Sequence, residues 1–203
     1  NGSDAVMLGE GRALALSPDG KWALVTRPSP ETHLVLLPTR AGEPRRLAGG
    51  GLGLLYHRAT FFPDGGRILF DADNKEGNQL TFVQDVPDGA PKPIGEVGAR
   101  VVVVSPDGKS VAGKTAEGIA VYPVEGEGAH RIAGGRPTDI PIQWSSDGTT
   151  IYIEATDEPN LTLYRLDLAT GRRHRWMELA PRDRTGLVRY GPRIRGPGLS
   201  ITP

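Results

Sequence analysis

Four copies of one bend constrain this chain more than any other feature of it. Ser17-Pro18-Asp19-Gly20 recurs as Phe62-Pro63-Asp64-Gly65, Ser105-Pro106-Asp107-Gly108 and Ser145-Ser146-Asp147-Gly148, and the four aspartates stand 45, 43 and 40 residues apart. Proline at the second place of a turn pre-sets φ, and aspartate hydrogen-bonds nearby backbone. Glycine at the fourth place takes a positive φ without a Cβ clash. A type I turn followed by a left-handed residue is a standard join between two antiparallel strands. Each copy therefore predicts a hairpin, repeated at the length of one sheet unit of roughly 40 to 50 residues.

The flanks of the bends agree with this. Short apolar strands precede them at 13–16, 59–62, 101–104 and 142–144, and second strands follow at 22–26, 67–70, 110–113 and 150–154. Third strands are expected at 34–37, 80–83, 119–122 and 161–166. More polar fourth strands are expected near 45–47, 92–94, 130–132 and 174–179. Val101 to Val104 does not alternate, which predicts an innermost strand buried on both faces. No segment carries sustained helical periodicity with caps. The fold class is all-β: a β-propeller of four-stranded antiparallel blades, spanning about 12–48, 57–97, 100–135 and 140–180. The whole chain, 1–203, reads as a single partial propeller domain, with partial blades at 1–11 and 198–203. Ala5 to Leu8 reads as an outer strand and Leu199 to Pro203 as an inner one, so the chain is expected to be part of a six- or seven-bladed ring. Missing blades or a second chain would cap the open ends.

Composition narrows function by exclusion. Twenty-eight Gly and eighteen Pro in 203 residues suit many short strands and tight turns. Formal net charge is zero, so no global field draws nucleic acid or an anionic membrane, and neither is expected as a partner of this segment. From Arg172 onward eight Arg face only Glu178 and Asp183, which leaves the rest of the chain acidic. Such a stretch either docks an acidic partner or solvates an outer strand and a loop. With no Cys there is neither a disulfide nor a thiolate metal site, which permits export without requiring it.

The repeats Ser17-Pro18-Asp19-Gly20-Lys21 and Ser105-Pro106-Asp107-Gly108-Lys109, each followed by a short apolar strand, resemble the TolB-type family of WD-like propellers. Phe62-Pro63-Asp64-Gly65-Gly66 and Ser146-Asp147-Gly148 match it less closely. The resemblance implies a bacterial, often exported propeller of six or seven blades that binds proteins or peptides. It implies a periplasmic or extracellular location, with a cytoplasmic one still open. The long connection 172–198 followed by 199–203 also resembles the end of propellers attached to bacterial membrane-bound serine/threonine protein kinases.

No catalytic motif survives inspection. Gly108-Lys109-Ser110 is a hairpin, not a phosphate loop, and no Gly-x-Ser-x-Gly elbow exists. His33, His57, His130 and His174 lie in four different repeats, so no metal and no cofactor is expected. Asp71 to Gly77 hints at a calcium loop but lacks the full ligand series, and reads as a solvated hairpin tip. Asn160-Leu161-Thr162 fits a glycosylation acceptor. Seven residues before each turn aspartate stand Arg12, His57, Arg100 and Ile140, with Arg58 adjacent to His57. By repeat equivalence these occupy one rim of a central channel. The cations could bind a carboxylate or an acidic peptide there, or form local ion pairs with Glu10 or Glu96. Gly49 to Gly53 could admit a ligand backbone or serve as a connector. Among the aromatics, Tyr56 and Trp176 are expected at the surface and most of the others between blades. The expected function is a non-catalytic protein- or peptide-binding module, possessing the sensor or scaffold role of a larger protein. The alternatives are the propeller of a peptidase or other multidomain enzyme, and a carbohydrate-active propeller holding a metal.

Overall fold

The computed structural model describes residues 7–28, 32–49, 52, 58–74, 76–96, 99–158 and 160–180. Among these residues there is no helix, and hence none long and apolar enough to cross a membrane. There are instead four sheets of four antiparallel strands. The first blade is β1 (Arg12–Leu16), β2 (Trp22–Arg27), β3 (His33–Pro38) and β4 (Arg45–Arg46). The second is β5 (Ala59–Phe61), β6 (Arg67–Asp73), β7 (Gln79–Asp85) and β8 (Lys92–Ile94). The third is β9 (Arg100–Val104), β10 (Ser110–Thr115), β11 (Gly118–Pro123) and β12 (His130–Arg131). The fourth is β13 (Asp139–Trp144), β14 (Thr150–Ala155), β15 (Leu161–Asp167) and β16 (Arg173–Leu179). In every sheet the strands lie in chain order, as the repeated bend predicts for propeller blades.

The bend does its work through a serine. Ser17 Oγ donates to Asp19 Oδ1 at 2.7 Å, and Asp19 Oδ1 accepts the Lys21 amide at 3.0 Å. Ser17 Oγ also accepts the Trp22 amide at 2.9 Å, and Gly20 N donates to Ser17 O at 2.8 Å. The same bonds recur around Ser105–Asp107 and Ser145–Asp147. Gly20, Gly65, Gly108 and Gly148 have φ of 69°, 70°, 66° and 71°, the left-handed value the turn requires. In the second blade Phe62 replaces serine. There Arg67 closes the turn, its Nη2 on Asp64 Oδ2 at 2.9 Å and its guanidinium 4.5 Å over the Phe62 ring.

The blades fall into two compact units, Asn1–Pro93 and Ile94–Pro203, each holding two blades. In the first, Leu24, Leu34, Leu36, Leu47, Ile68 and Phe82 form the core, with Phe70 stacked on Phe82 at 5.6 Å. In the second, Ala112, Ile119 and Ile132 of the third blade meet Trp144, Ile151, Ile153 and Leu166 of the fourth. Trp144 Nε1 donates to Val103 O at 3.4 Å across that contact. Gly134 and Gly171 close it, because a Cβ on Gly134 would stand 2.0 Å from Gly171 O.

Burial peaks on the second and third strands, not on the innermost. β3 runs buried from Leu34 to Leu37, whereas Leu16 of β1 is 60% exposed and Val103 and Val104 of β9 are only half-buried. A middle strand is flanked on both sides within its sheet, while the innermost is a sheet edge, and its described residues are correspondingly less buried than expected of a strand covered on both faces. The expected hairpin tip at Asp71 also moves. β6 continues through Asp71, Ala72 and Asp73, and the tip is Asn74–Asn78, where Asn74 Oδ1 accepts the Glu76 and Asn78 amides at 3.1 and 2.8 Å. Of the expected partial blades, residues 1–6 and 198–203 lie outside the described residues, and Met7 and Leu8 belong to no strand.

One buried ion pair braces the fourth blade. Asp139 is fully buried and takes Arg173 Nη1 and Nη2 at 2.7 and 3.1 Å, plus the Arg136 amide at 2.7 Å. The Arg173 guanidinium lies 4.5 Å over the Tyr164 ring on its way. Burial raises the Asp139 carboxyl above the ordinary range, against the pull of the amide and the guanidinium.

Three outcomes test these points on the intact chain by urea titration. Gly148→Ala meets no atom within 4 Å of the new Cβ, so its cost is backbone strain alone, about 1–2 kcal/mol; an unchanged midpoint would refute the left-handed turn. Arg173→Met strands the buried Asp139 charge and should cost about 3–5 kcal/mol, while Arg172→Met, at an exposed neighbour, should cost little. The Asp19 and Asp147 carboxyls are lowered to about 2, chiefly by the Lys21 amide for Asp19 and the Ser145 hydroxyl for Asp147. Their contribution is complete above the unfolded value of about 3.9 and disappears as pH falls towards 2. Asp19→Asn with Asp147→Asn should flatten the acid limb over that window, and an unaltered limb would show that other carboxylates carry it.

Candidate functional site

The start of each inner strand is fixed by its pairing with the second strand, and the register decides which residues are equivalent. Arg12 pairs with Thr26, Arg100 with Lys114 and Ile140 with Glu154. In each of these blades the inner strand carries a register shift, passing over Leu14, Val102 and Ile142, one residue at the same repeat position. The described part of the second blade has no such shift: Ala59 pairs with Phe70, and the Asp71 amide donates to Arg58 O at 3.0 Å. Counting residues sets His57 level with Arg12 and Arg100; the register sets Arg58 there. Both His57 and Tyr56 lie outside the described residues.

Three of the four inner strands thus start on or beside an exposed arginine: Arg12, Arg58 and Arg100. Arg12 and Arg58 belong to the first unit and Arg100 to the second. Arg58 Nε stands 3.5 Å from Asp71 Oδ2, and Asp71, only 4% exposed, also accepts Thr81 Oγ1 at 2.9 Å. That carboxylate holds the Arg58 head while leaving half of its side chain in solvent. Arg100 has no ion pair among the described residues, and its neighbour Glu96 instead lies near Tyr122. Such groups suit a carboxylate ligand, which takes a guanidinium in a two-point hydrogen bond.

The fourth blade inverts this chemistry. Ile140 stands where the other blades carry arginine, and opposite it Glu154 is buried with no donor on Oε1. Burial alone holds the Glu154 carboxyl above the ordinary range. Sequence reasoning missed Glu154, because a lone Glu in an apolar strand reads as a surface residue until its pairing is known.

Trp176 is 37% exposed on β16 and meets the Tyr152 ring edge-on at 5.0 Å. Trp144 and Tyr122 are buried, as inter-blade packing requires. The basic stretch is partly consumed locally: Arg173 pairs with Asp139, and Arg175 with Glu158 at 3.4 Å and Glu178 at 2.9 Å. Its arginines beyond residue 180, and most of Gly49 to Gly53, lie outside the described residues. Asn160 of the glycosylation-like triplet donates to Glu178 Oε1. Among the described residues no group of three His, Asp or Glu could hold a metal. A groove of about 380 Å³ at the edge of the first blade is lined by Lys21, Trp22, Arg40 and Arg45, with Arg45 stacked 4.8 Å over the Trp22 ring.

No family model matches the chain, and no curated protein matches it in sequence. Solved structures do match. A protein described as TolB from Agrobacterium tumefaciens has a TM-score of 0.65 at 19% identity, over 84% of this chain and 62% of its own. TolB from Acinetobacter baumannii gives 0.61 at 20% identity, over 84% of this chain and 44% of its own. Prolyl oligopeptidase B from Galerina marginata gives 0.59 at 12% identity, over 83% of this chain and 26% of its own. The chain therefore spans less than two thirds of each of these proteins. At such identities the likeness is one of fold, and that fold is the β-propeller.

Proposed function

We propose that this chain is a non-catalytic protein- or peptide-binding propeller module, the extracytoplasmic sensor or scaffold part of a larger bacterial protein. The observation that carries the reading is the arginine at one structural position in three of four blades, Arg12, Arg58 and Arg100, all exposed. The turn motif accounts for the repeated Ser, Asp and Gly, but not for a cation at the start of the inner strand. A carboxylate of an acidic peptide is the group that each of these arginines, in its own blade, would recognise. The likeness to TolB structures supports an exported, periplasmic setting, and further blades or a second chain would cover the open sheet faces. Tyr56 and His57, which precede Arg58 in the sequence, and Trp176 on the outer strand of the fourth blade are further candidate contacts.

The likeness to prolyl oligopeptidase B favours a second reading, in which the chain is the propeller of a peptidase and the catalytic domain lies elsewhere in the parent protein. The parent gene separates the two: a hydrolase domain beside this segment supports the peptidase, and a kinase domain with a membrane helix supports the receptor.

The arginine site is tested with a fluorescein-labelled Glu-Gly-Glu-Gly-Glu peptide at low salt, read by anisotropy. Arg12→Ala with Arg100→Ala should weaken binding roughly three- to tenfold, the range expected for two exposed charges, and added salt should weaken it further. Arg46→Ala, an exposed arginine on an outer strand, serves as the control. Equal affinity for the double variant and the wild type would remove the inner-strand arginines from the site.

A further inference from the structure

Every outer strand begins on a cation: Arg45, Lys92, His130 and Arg173. In the fourth blade that charge is spent inside the sheet, on the buried Asp139. The first blade uses it differently. Arg45 forms no ion pair among the described residues and lies 4.8 Å over the Trp22 ring. Trp22 packs against the core of the first unit, while Arg45 is exposed. The ring therefore holds the guanidinium in place and leaves its N–H groups within reach of solvent. This is the one blade with an aromatic three residues after the turn aspartate; the others carry Arg67, Ser110 and Thr150 there.

The loop after β3 completes a groove around this stack. The Thr39 amide donates to Lys21 O at 2.9 Å and Thr39 Oγ1 to Gly20 O at 2.7 Å, which pins the loop to the first bend. The groove, about 380 Å³, sets Lys21, Arg40 and Arg45 against one acid, Glu43, with Pro38, Ala41 and Trp22 as its apolar part. Its volume falls within the range of small-ligand sites. All three cations are exposed, and Arg40 has no ion pair among the described residues. Lys21 Nζ reaches Asp19 Oδ2 at 3.1 Å but keeps 72% of its side chain in solvent, and so exposed a pair is weak enough for the ammonium to turn to a ligand. A carboxylate has two oxygens, which one guanidinium fork fills. Three cationic donors around one hollow suit a group with three free oxygens and two charges.

We propose that this groove on the first blade is a binding site for a phosphate monoester carried on a small apolar group. Arg45, already oriented by Trp22, takes two phosphoryl oxygens, Arg40 and Lys21 take the third, and the carrier lies against Pro38 and Ala41. None of the inner-strand arginines takes part, so this site and the acidic-peptide site stand or fall separately.

The test uses the full chain with phenyl phosphate at low salt and a pH about two units above the second phosphate pKa of ~6, read by calorimetry and tryptophan fluorescence. Saturable binding is expected, with phenyl sulfate, alike in shape but singly charged, about fivefold weaker and inorganic phosphate weaker as well. Arg45→Gln should weaken phenyl phosphate about tenfold and Arg40→Gln about threefold, without moving the urea midpoint, since both residues are exposed. Arg46→Gln, whose side chain alternates to the other face of β4, should change nothing, and neither should Arg12→Ala with Arg100→Ala. Arg45→Lys keeps the charge but loses the planar fork and should still cost about threefold; it decides the matter if Arg45→Gln does not fold. No saturable binding of phenyl phosphate, equal binding of phenyl sulfate or inorganic phosphate, or full binding by the Arg45 variants would overturn the proposal.

Discussion

The hydrogen bonds that close the Asp-Gly bend determine more than the bend itself. Ser17, Ser105 and Ser145 each use one hydroxyl twice, donating to the turn aspartate and accepting the first amide of the following strand. That double use ties the end of the inner strand to the start of the second at a fixed offset. Because side chains alternate along a strand, a slip of one residue would turn every core residue outward. Leu24 and Val25, or Ile151 and Ile153, reach their packing positions only because the offset is fixed a few residues earlier. The second blade lacks the serine and reaches the same offset by a different route, with Arg67 spanning Asp64 and the Phe62 ring. Two chemical solutions to one geometric demand show that the demand comes from the sheet.

The same offset carries the candidate sites. From the turn outward the pairing is common to all four blades for the first steps; then three of them pass over one residue and the second does not. A bulge of this kind re-aims the strand beyond it. Its consequence is that Arg58, seated one residue nearer its turn than Arg12 and Arg100 are to theirs, occupies their structural position. The chemistry at the start of the inner strand is thus decided by sheet geometry, and only then by which residue the sequence supplies.

Much of the fold was legible from residue types alone, because Pro, Asp and Gly at fixed places have few conformational options and their period is the length of a blade. The sixteen strands follow directly from that reading. What could not be read has physical causes too. Burial of the innermost strand was overstated, since an apolar run shows what a strand tolerates and not which sheet edge it occupies. The role of the serine hydroxyl was hidden, since serine is common at turns for several reasons. Asp71 looked like a solvated tip because strand length is set by pairing with Gln79 to Asp85, which no local pattern announces. Glu154 was invisible for the same reason: its meaning comes from Ile140 opposite and from the arginine that other blades have in its place.

The four blades can then be viewed as variations on one scaffold in which stability and recognition occupy different repeat positions. The turn residues vary little, because each substitution there must preserve a left-handed glycine and a shared hydroxyl or its equivalent. The pair at the start of the inner strand varies freely: Arg12 with Thr26, Arg58 with Asp71, Arg100 with Lys114, Ile140 with Glu154. The second of these is a cation–anion pair, Arg58 Nε standing 3.5 Å from Asp71 Oδ2. In the third blade Arg100 and Lys114 are two cations side by side, and in the fourth a single anion is buried without a partner. Neither arrangement strengthens its own sheet, since like charges repel and an unpaired buried carboxylate is penalised. Departures from internal satisfaction that fall at one repeat position, while the core beneath them is well packed, are what a surface shaped for binding would show. The opposite signs in neighbouring blades show that one frame can present different charges at the same repeat position.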